Sequence, residues 1–375
     1  MSSLPEEAFI AGLARLPGVG PRRLAGLLDI GPPALVWDQV ASGARAVTAV
    51  AGRPDRADVW RQTARDLDVS RSWAELRASG VGVLWRRGSG FPSVLREDPE
   101  PPELLFTSGD AGCLAPQRVA IVGTRQCTRY GHDVAYELAA QLASAGVTVV
   151  SGLARGIDAA AHHGALDGGG APPVAVVGTA IDTPYPRENA GLWRRVAETG
   201  LVCSEGPPGV PTERWRFPAR NRIIAGLSDV VVVVESASGG GSLYTAAQAV
   251  DRGRTLLAVP GPIRSAVSLG TNRLLADGAH PVCEVSDVLE ILGLVAPVPV
   301  DRLVEPALSA LAAGVRDAIG WQPATLDDIV GSGDLDIADA GAGLEELVAA
   351  GVVARRGGWY ERVHRIRPQS GSYDP

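Results

Sequence analysis

The sequence predicts an α/β protein built on a mostly parallel sheet with helices on both faces. The first observation is that runs of β-branched apolar residues alternate with helical stretches between residues 118 and 292. The second is that most of these runs end in a glycine-rich turn that leads into the next helix. The third is that the flanking regions, 1–85 and 306–367, have mainly helical patterns, which indicates an additional domain on each side.

Composition and charge are those of an ordinary soluble globular protein. The chain has 375 residues, of which 46% are hydrophobic and 21% charged, and its formal net charge is −7. An acidic balance argues against nonspecific affinity for nucleic acid but is compatible with a local basic site. All 35 basic residues are arginine, which excludes mechanisms that need a lysine.

The N-terminus and the cysteines favour a cytoplasmic protein. No apolar run approaches the ~18 residues of a membrane span. MSSLPEEAFI carries acids where a signal peptide carries bases. The four cysteines are widely separated without a CxxC pair, so we expect reduced structural thiols rather than zinc ligands or disulfides. We expect no metal and no cofactor.

Residues 1–85 are predicted to form a helical domain of the SAM/helix-hairpin-helix-like kind. The turn LPGVG, Leu16 to Gly20, lies between two short predicted helices, and Pro21 stands in the first turn of the second. Glycines in such a turn let backbone N–H groups approach a DNA phosphate. The alternative is a tight corner in a small helical bundle, and the sequence favours neither. Residues 86–116, rich in glycine and proline, are predicted to be a connector with little regular structure.

The central domain is predicted to span residues 117–293. Strands are predicted at 118–123, 147–152, 173–178, 201–205, 230–235, 255–261 and 281–285. Helices are predicted between them, at 131–145, 158–166, 189–199, 221–227, 243–251 and 272–277. Because sites in parallel sheets gather at the carboxyl ends of the strands, we expect the functional residues at that edge.

Glycine-rich turns follow five of these strands and lead to helix N-termini, where unpaired N–H groups bind anions. One such turn is common in any α/β protein, whereas five on one edge, with arginines among them, indicate an anion-binding rim. The candidate residues in these turns are Gly123, Thr124, Arg125, Ser151, Gly152, Arg155, Gly240, Gly241, Ser242, Thr271 and Asn272. The turn GTRQCTRYG lacks the G-x-G-x-x-G spacing of a dinucleotide site.

The segment FPARNRIIAGLS, 217–228, leads into the most hydrophobic strand. It contributes the candidates Phe217, Arg220, Asn221 and Arg222, and Arg214 and Arg216 precede it. The planar fork of arginine fits phosphate oxygens and stacks on flat rings. Its counterion here could be a phosphate chain, a nucleotide or the protein's own carboxylates. Phe217 could stack on a base or pack in the core.

Residues 294–305 are predicted to be a linker, 306–367 a winged-helix domain and 368–375 a tail. A winged helix usually reads duplex DNA with its recognition helix. Acidic residues on or beside that helix should repel phosphate: Asp336, Asp339, Glu345 and Glu346. Basic residues cluster instead in the wing and tail: Arg355, Arg356, Arg362, Arg365 and Arg367. We favour a protein-contact module, and contact between the wing and DNA is the alternative.

Seven segments of the central domain resemble the DNA-processing protein A family (DprA, also called Smf). They are VAIVGTR (119–125), SGLARGIDAAAH (151–162), GTAIDTPYP (178–186), FPARNRIIAGLS (217–228), GGSLYTA (240–246), AVPG (258–261) and GTNRLLADGA (270–279). They follow the family's order. The resemblance implies an extended Rossmann-like fold, single-stranded DNA bound at a basic pocket during natural transformation, a homodimer, and transfer of the DNA to the RecA recombinase.

The same resemblance implies which residues form the DNA pocket. They are Gly123, Arg125, Phe217, Arg220, Asn221 and Arg222. Family members commonly also have a lysine at the pocket. This sequence has none, so one of Arg187, Arg194, Arg214 and Arg216 would have to supply that charge.

We expect no catalysis. An acid–base pair is nevertheless conceivable, because His162 and His163 follow Asp158 and because Glu205 and Glu235 end strands. Asp158 is expected to cap a helix, and His162 is expected to pack or to form a hydrogen bond locally. In the related LOG-type phosphoribohydrolases, catalytic glutamates follow a glycine turn. The corresponding stretch here, GGGSLYTAA, has Tyr244 and Thr245 at those places. The alternative hypothesis is a nucleotide-binding or nucleotide-hydrolysing enzyme on the same fold.

Overall fold

The computed structural model describes residues 4–114, 117–294, 308–319, 323–332 and 335–362. The chain divides into two compact units, Met1–Val295 and Ala296–Pro375. Within the described ranges, the first unit holds a sheet of nine strands and the second a sheet of three. No helix in these ranges is both long and apolar enough to cross a membrane.

The large sheet is mostly parallel, which confirms the predicted fold class. Its strands are β1 (Gly82–Trp85), β2 (Leu104–Gly109), β3 (Arg118–Val122), β4 (Thr148–Ser151), β5 (Val174–Val176), β6 (Leu201–Ser204), β7 (Val230–Val233), β8 (Thr255–Ala258) and β9 (His280–Pro281). They lie in the order β1-β2-β6-β5-β4-β3-β7-β8-β9. Strands β3 to β9 run parallel, while β2 pairs antiparallel with both β6 and β1.

The order of the strands reverses at the middle of the sheet. β3 lies between β4 and β7, so that Ala120 faces both Val150 and Val231 in the register. The chain extends the sheet on one side as far as β6 and then returns to the other side of β3. The carboxyl ends of β3 and β7 therefore form a topological switch point, where α/β proteins usually bind ligands.

Helices cover both faces of this sheet. Their bounds are α1 (Glu6–Ala14), α2 (Pro21–Leu28), α3 (Pro33–Ser42), α4 (Arg45–Ala51), α5 (Pro54–Asp66), α6 (Val69–Ala78), α7 (Ser93–Arg96), α8 (Arg129–Ser144), α9 (Ile157–Gly168), α10 (Ala190–Thr199), α11 (Arg216–Leu227), α12 (Ser242–Asp251), α13 (Leu269–Ala276) and α14 (Val285–Ile291). The predicted helix at 221–227 is longer than expected, because α11 begins at Arg216 and accommodates Pro218 in its first turn.

The N-terminal helices α1–α6 share a hydrophobic core with one end of the large sheet. Leu13 and Trp60 are fully buried in the same cluster as Phe106 of β2 and Val202 of β6. Trp60 also donates its indole N–H to the carbonyl of Pro17 at 2.9 Å, which fixes the LPGVG turn. The turn is therefore held rigidly against the rest of the first unit.

Residues 86–116 differ from the sequence-based expectation of little regular structure. This segment contains α7 and β2, and β2 is buried along Leu104–Thr107 in the sheet. A buried ion pair fixes the segment to α12, where Arg252 Nε lies 2.7 Å from Asp98 Oδ2. The apolar run LLF is short and follows two prolines, so the pattern alone did not indicate a strand.

In its described residues, the second unit contains three helices and a small antiparallel sheet. Its elements are α15 (Ala310–Ala318), β10 (Ala324–Thr325), α16 (Leu326–Ser332), α17 (Ile337–Ala349), β11 (Val353–Arg356) and β12 (Trp359–Arg362). The sheet has the order β10-β12-β11. A separate core contains Val315, Ile329 and Leu344. Residues 295–307 and the basic tail from residue 363 onward lie outside the described residues.

Candidate nucleic-acid interface

A small pocket opens at the carboxyl ends of β4 and β5, beside the first turn of α11. It has a volume of about 40 Å³ and is named the rim pocket. Its lining includes the predicted residues Arg125, Gly152, Arg155, Phe217 and Arg220, and also Gly178, Thr179, Tyr185 and Pro186. The fold therefore brings together predicted residues that are up to 95 positions apart, from Arg125 to Arg220.

Phe217 lies at the centre of an aromatic and cationic group in this pocket. Its ring centroid is 5.2 Å from that of Tyr185, with the planes inclined at 53°. The guanidinium carbon of Arg125 lies 5.7 Å from the same ring, within the range of a cation–π contact. Phe217 is only half-buried, and Tyr185 is 50% exposed. Sequence reasoning missed Tyr185, although it lies in the motif GTAIDTPYP.

Arg220 ties strand ends together beneath the pocket. It is 7% exposed, and its Nη1 donates to the carbonyl of Gly152 at 2.9 Å and to that of Val176. A Cβ at residue 152 would overlap this guanidinium, which would have to move away from its carbonyl acceptors. Burial lowers the pKa of Arg220, while Asp158 acts in the opposite direction. Arg220 thus supplies positive potential to the pocket while its side chain is engaged by the protein.

Arg222 has a carboxylate of the protein as its counterion. Its Nη2 lies 2.6 Å from Glu205 Oε1, and the two side chains are 10% and 15% exposed. Burial raises the pKa of the Glu205 carboxyl, and the Arg222 charge opposes that effect. Of the three counterions that the sequence left open, the protein's own groups account for Arg220 and Arg222. Asn221, also predicted, is half-buried and does not line the rim pocket.

Other arginines near the pocket are exposed and available. Arg125, Arg187 and Arg214 are exposed and have no ion pair among the described residues. Arg155 is exposed and pairs with Glu188, with Nη2 2.8 Å from Oε2. An exposed pair of this kind contributes little to stability because water and salt screen it, so a phosphate could compete for Arg155. Arg125 and Arg155 line the pocket and give its mouth a positive field.

The predicted residues after β7 and β8 form a separate cluster away from the rim pocket. Ser242 donates to Ser236 Oγ at 2.9 Å, Thr271 to the Ser268 carbonyl at 3.2 Å, and Asn272 to the Gly261 carbonyl at 2.9 Å. Gly240 and Gly241 precede α12 in the same cluster. Ser242 and Thr271 are buried, so these two side chains hold the turns together.

The turn after β3 is occupied by a carboxylate of the protein. Glu235, which is 3% exposed, accepts hydrogen bonds from Thr128 N at 2.9 Å and Thr128 Oγ1 at 2.5 Å. Thr124 N donates to the Glu235 carbonyl at 2.8 Å. The amino end of α8, expected to receive an external anion, therefore holds an internal one. Gly123 adjoins this turn, and Ser151 donates internally to the Ile121 carbonyl at 2.6 Å.

The conceivable acid–base groups are buried or paired. His162 is fully buried, and burial lowers its pKa to about 3, so the ring is neutral. Asp158 lies in the first turn of α9 and is 6% exposed, and burial raises its pKa. At the two positions that correspond to the catalytic glutamates of LOG-type phosphoribohydrolases, Tyr244 is exposed and Thr245 is buried. Within the described ranges, no group of three His, Cys, Asp or Glu is arranged to hold a metal.

The reversed strand order and the cationic edge define a Rossmann-like binding domain. Residues 82–293 match the family model of the DNA recombination-mediator protein A. The chain belongs to this family, which confirms the resemblance seen in the seven motifs. The match begins at β1, so it includes the antiparallel extension of the sheet.

Known relatives cover most of the chain. A protein of Mycobacterium tuberculosis, provisionally named as DNA processing protein DprA, is 41% identical over 352 residues, covering 85% of this chain and 89% of its own length. Protein Smf of Escherichia coli is 36% identical and covers 73% of this chain and 75% of its own.

Solved structures of family members are also similar to this chain. The crystal structure of DprA from Streptococcus pneumoniae has a TM-score of 0.64 at 32% identity and covers 77% of this chain and 98% of its own. A DprA structure from Helicobacter pylori, described for its single-stranded DNA binding mode, has a TM-score of 0.52 at 30% identity. It covers 56% of this chain and 95% of its own.

Proposed function

We propose that this protein binds single-stranded DNA at the rim pocket and acts as a mediator of DNA recombination. The observation that carries the proposal is the grouping of Phe217, Tyr185 and Arg125 at one exposed mouth. Aromatic faces beside cations are what sequence-tolerant binding of single strands requires, because each base can stack while the backbone is held electrostatically. Membership of the family supports the same assignment, as does the DNA binding described for the Helicobacter pylori relative.

We further propose the wider role that the family resemblance implies. The protein would act in the cytoplasm as a homodimer and pass the strand to the RecA recombinase during natural transformation. The second unit would be a winged helix used for protein contact. Its acidic α17 supports this assignment, since Asp339 and Glu345 lie on it. The double substitution Arg355→Ala with Arg356→Ala would then leave DNA affinity unchanged, and a large loss would favour the wing as a DNA contact.

The protein is proposed to be a binding protein rather than an enzyme. This is supported by the internal hydrogen bonds of Glu235, the ion pair of Glu205 and the burial of His162. The alternative, a nucleotide-hydrolysing enzyme, would need a carboxylate free to act on a bound substrate.

A salt-dependent binding titration tests the proposal. Fluorescence anisotropy of a labelled oligothymidylate should show tight binding whose log affinity falls linearly with log salt. Phe217→Ala should weaken binding about 5- to 150-fold, corresponding to the loss of ~1–3 kcal/mol of stacking. Arg125→Ala should lower the salt slope by about 0.7, the value for one single-strand phosphate contact.

The matched control is Arg71→Ala, because Arg71 is 79% exposed and pairs with Glu75 of the same helix, α6. Its affinity and salt slope should equal those of the wild type. Equal affinity for mononucleotides, or their turnover, would contradict the proposal.

A further inference from the structure

A second and much larger cavity lies between the LPGVG turn and the start of α11. Its volume is about 990 Å³, and it is named the hairpin groove. Its walls include Gly20, Arg22, Arg23 and Arg56 from the helical region and Trp215 from the segment before α11. The proposed function assigns no role to this groove or to the glycine turn.

The helical side of the groove, here called the hairpin wall, carries Arg22, Arg23 and Arg56. Among the described residues, none of these three arginines forms an ion pair with a carboxylate. Arg22 is exposed without an ion pair among the described residues. Arg23 and Arg56 donate instead to the carbonyls of Gly18 at 2.9 Å and Ala51 at 2.6 Å. No side chain caps α2, whose first turn follows Gly20, so its amino end adds a positive partial charge.

The acids that line the groove are in part already engaged. Glu103 is paired with Arg86 at 3.1 Å, and Glu213 accepts the indole N–H of Trp215 at 2.6 Å. Asp29 and Glu100 are exposed at the groove, and Glu100 lies 4.0 Å from Arg252. The hairpin wall therefore keeps its positive character.

A buried donor lies on the opposite side of the groove. Arg222 lines the groove and is 8% exposed. Its Nη2 pairs with Glu205, but its Nη1 has no hydrogen-bond partner among the described residues. A buried guanidinium N–H without an acceptor is unfavourable, so this wall of the groove carries a positive group that the protein does not fully satisfy.

Trp215 connects the groove to the rim pocket. Its indole packs against the glycine turn, since a Cβ on Gly20 would lie 3.0 Å from Trp215 Cη2. The side chain is still 42% exposed, so part of the indole remains available to a base. Trp215 lines the groove and Phe217 lines the rim pocket, and the two residues are two positions apart.

We propose that the hairpin groove binds the continuation of the same single strand of DNA, with Arg22, Arg23 and Arg56 on its phosphates and Trp215 under a base. This proposal rests on binding at the rim pocket. The rim pocket has a volume of about 40 Å³ and the groove one of about 990 Å³, so the groove offers far more room to a strand that leaves the pocket. In this proposal, the LPGVG turn is both a tight corner between two helices and a contact to a DNA phosphate, the two alternatives that the sequence left open.

An oligonucleotide length series tests this proposal. Anisotropy is measured for oligothymidylates of increasing length with the wild type, with Arg22→Ala/Arg56→Ala and with Arg125→Ala. The groove variant should bind short oligonucleotides like the wild type and lose about twentyfold in affinity for long ones at 0.1 M salt, with a salt slope smaller by about 1.4. Arg71→Ala is again the control. Arg22→Glu alone, at an exposed site without a partner, provides a second variant if the double one is unstable.

The outcomes separate the two proposals. If the wild type binds no single strand, or if Arg125→Ala binds every length as the wild type does, binding at the rim pocket is wrong. If Arg125→Ala weakens binding but both groove variants match the wild type at every length, the groove proposal is overturned. Preference of the wild type for a duplex of equal length, lost in the groove variants, would overturn it as well.

Discussion

Removal of the Arg222 side chain should destabilise the fold through the carboxylate that it leaves behind. In the native protein, Arg222 Nη2 and Glu205 Oε1 are 2.6 Å apart and their side chains are 10% and 15% exposed. Arg222→Ala would leave Glu205 as an unpaired charge in a poorly hydrated place. Breaking a buried pair from one side costs roughly 3–5 kcal/mol. The remaining exposure allows some hydration, so we expect a loss of about 2–4 kcal/mol in the free energy of unfolding.

The loss should depend on pH in a defined direction. Burial already raises the pKa of Glu205, and Arg222 is the main charge that opposes this effect. Without Arg222 the folded-state pKa rises further above the unfolded value of about 4.3. The unfavourable contribution is therefore absent below that value and grows as the pH rises through the folded-state pKa. The free energy of unfolding of Arg222→Ala should therefore be closer to that of the wild type at pH 5 than at pH 8.

Urea unfolding at both pH values measures this effect. Glu205→Gln combined with Arg222→Ala should recover most of the lost stability at pH 8, because no unpaired charge remains. Arg71→Ala, which removes an exposed arginine, should change the stability by less than about 0.5 kcal/mol. A loss for Arg222→Ala that is equal at pH 5 and pH 8, and that Glu205→Gln does not reduce, would refute the reasoning.

Two further substitutions test other parts of the structure. Gly152→Ala should destabilise by about 2–4 kcal/mol in urea unfolding, because the new Cβ displaces the Arg220 guanidinium from its carbonyl acceptors. Gly239→Ala, with open space around its Cβ, is the control and should be near neutral. Burial, with a smaller effect of Asp133, raises the pKa of Glu137 to about 7. Ionisation of Glu137 therefore lowers the free energy of unfolding by roughly 1–3 kcal/mol as the pH rises from about 4.3 to 7. Glu137→Gln should remove that decline. If the variant shows the same dependence of stability on pH as the wild type, the assignment to Glu137 is wrong.

The sequence predicted the parallel sheet well because its strands are buried on both faces. Runs such as Val230–Val233 show their β-branched character without any knowledge of their neighbours. The strand β2 was not predicted, because its apolar stretch is short and its pairing with β6 spans almost 100 residues. Pairing over such distances leaves no periodic signal within the segment itself.

The sequence predicted which residues form the candidate site, but not which of them are free to bind a ligand and which bind other groups of the protein. Arg125, Phe217 and Arg220 do converge on one pocket. Sequence spacing could not show that Arg220 bonds to strand carbonyls or that Arg222 pairs with Glu205, because those acceptors lie on other elements. Tyr185 and Trp215 were missed as site residues for a similar reason, since only the fold shows which exposed aromatic residues lie beside which cations.

The carboxylate of Glu235 has a consequence for what this fold can still bind. It lies at the strand-order reversal and accepts both hydrogen bonds from Thr128. Rossmann proteins receive the pyrophosphate of a cofactor at such a helix start. An incoming pyrophosphate would meet a carboxylate of the protein and would find both donors of Thr128 already engaged. The fold thus has the architecture of a cofactor domain in which a carboxylate of the protein lies at the helix start where a cofactor's pyrophosphate would bind. The outer edge of the sheet is then the place for the DNA strand proposed above.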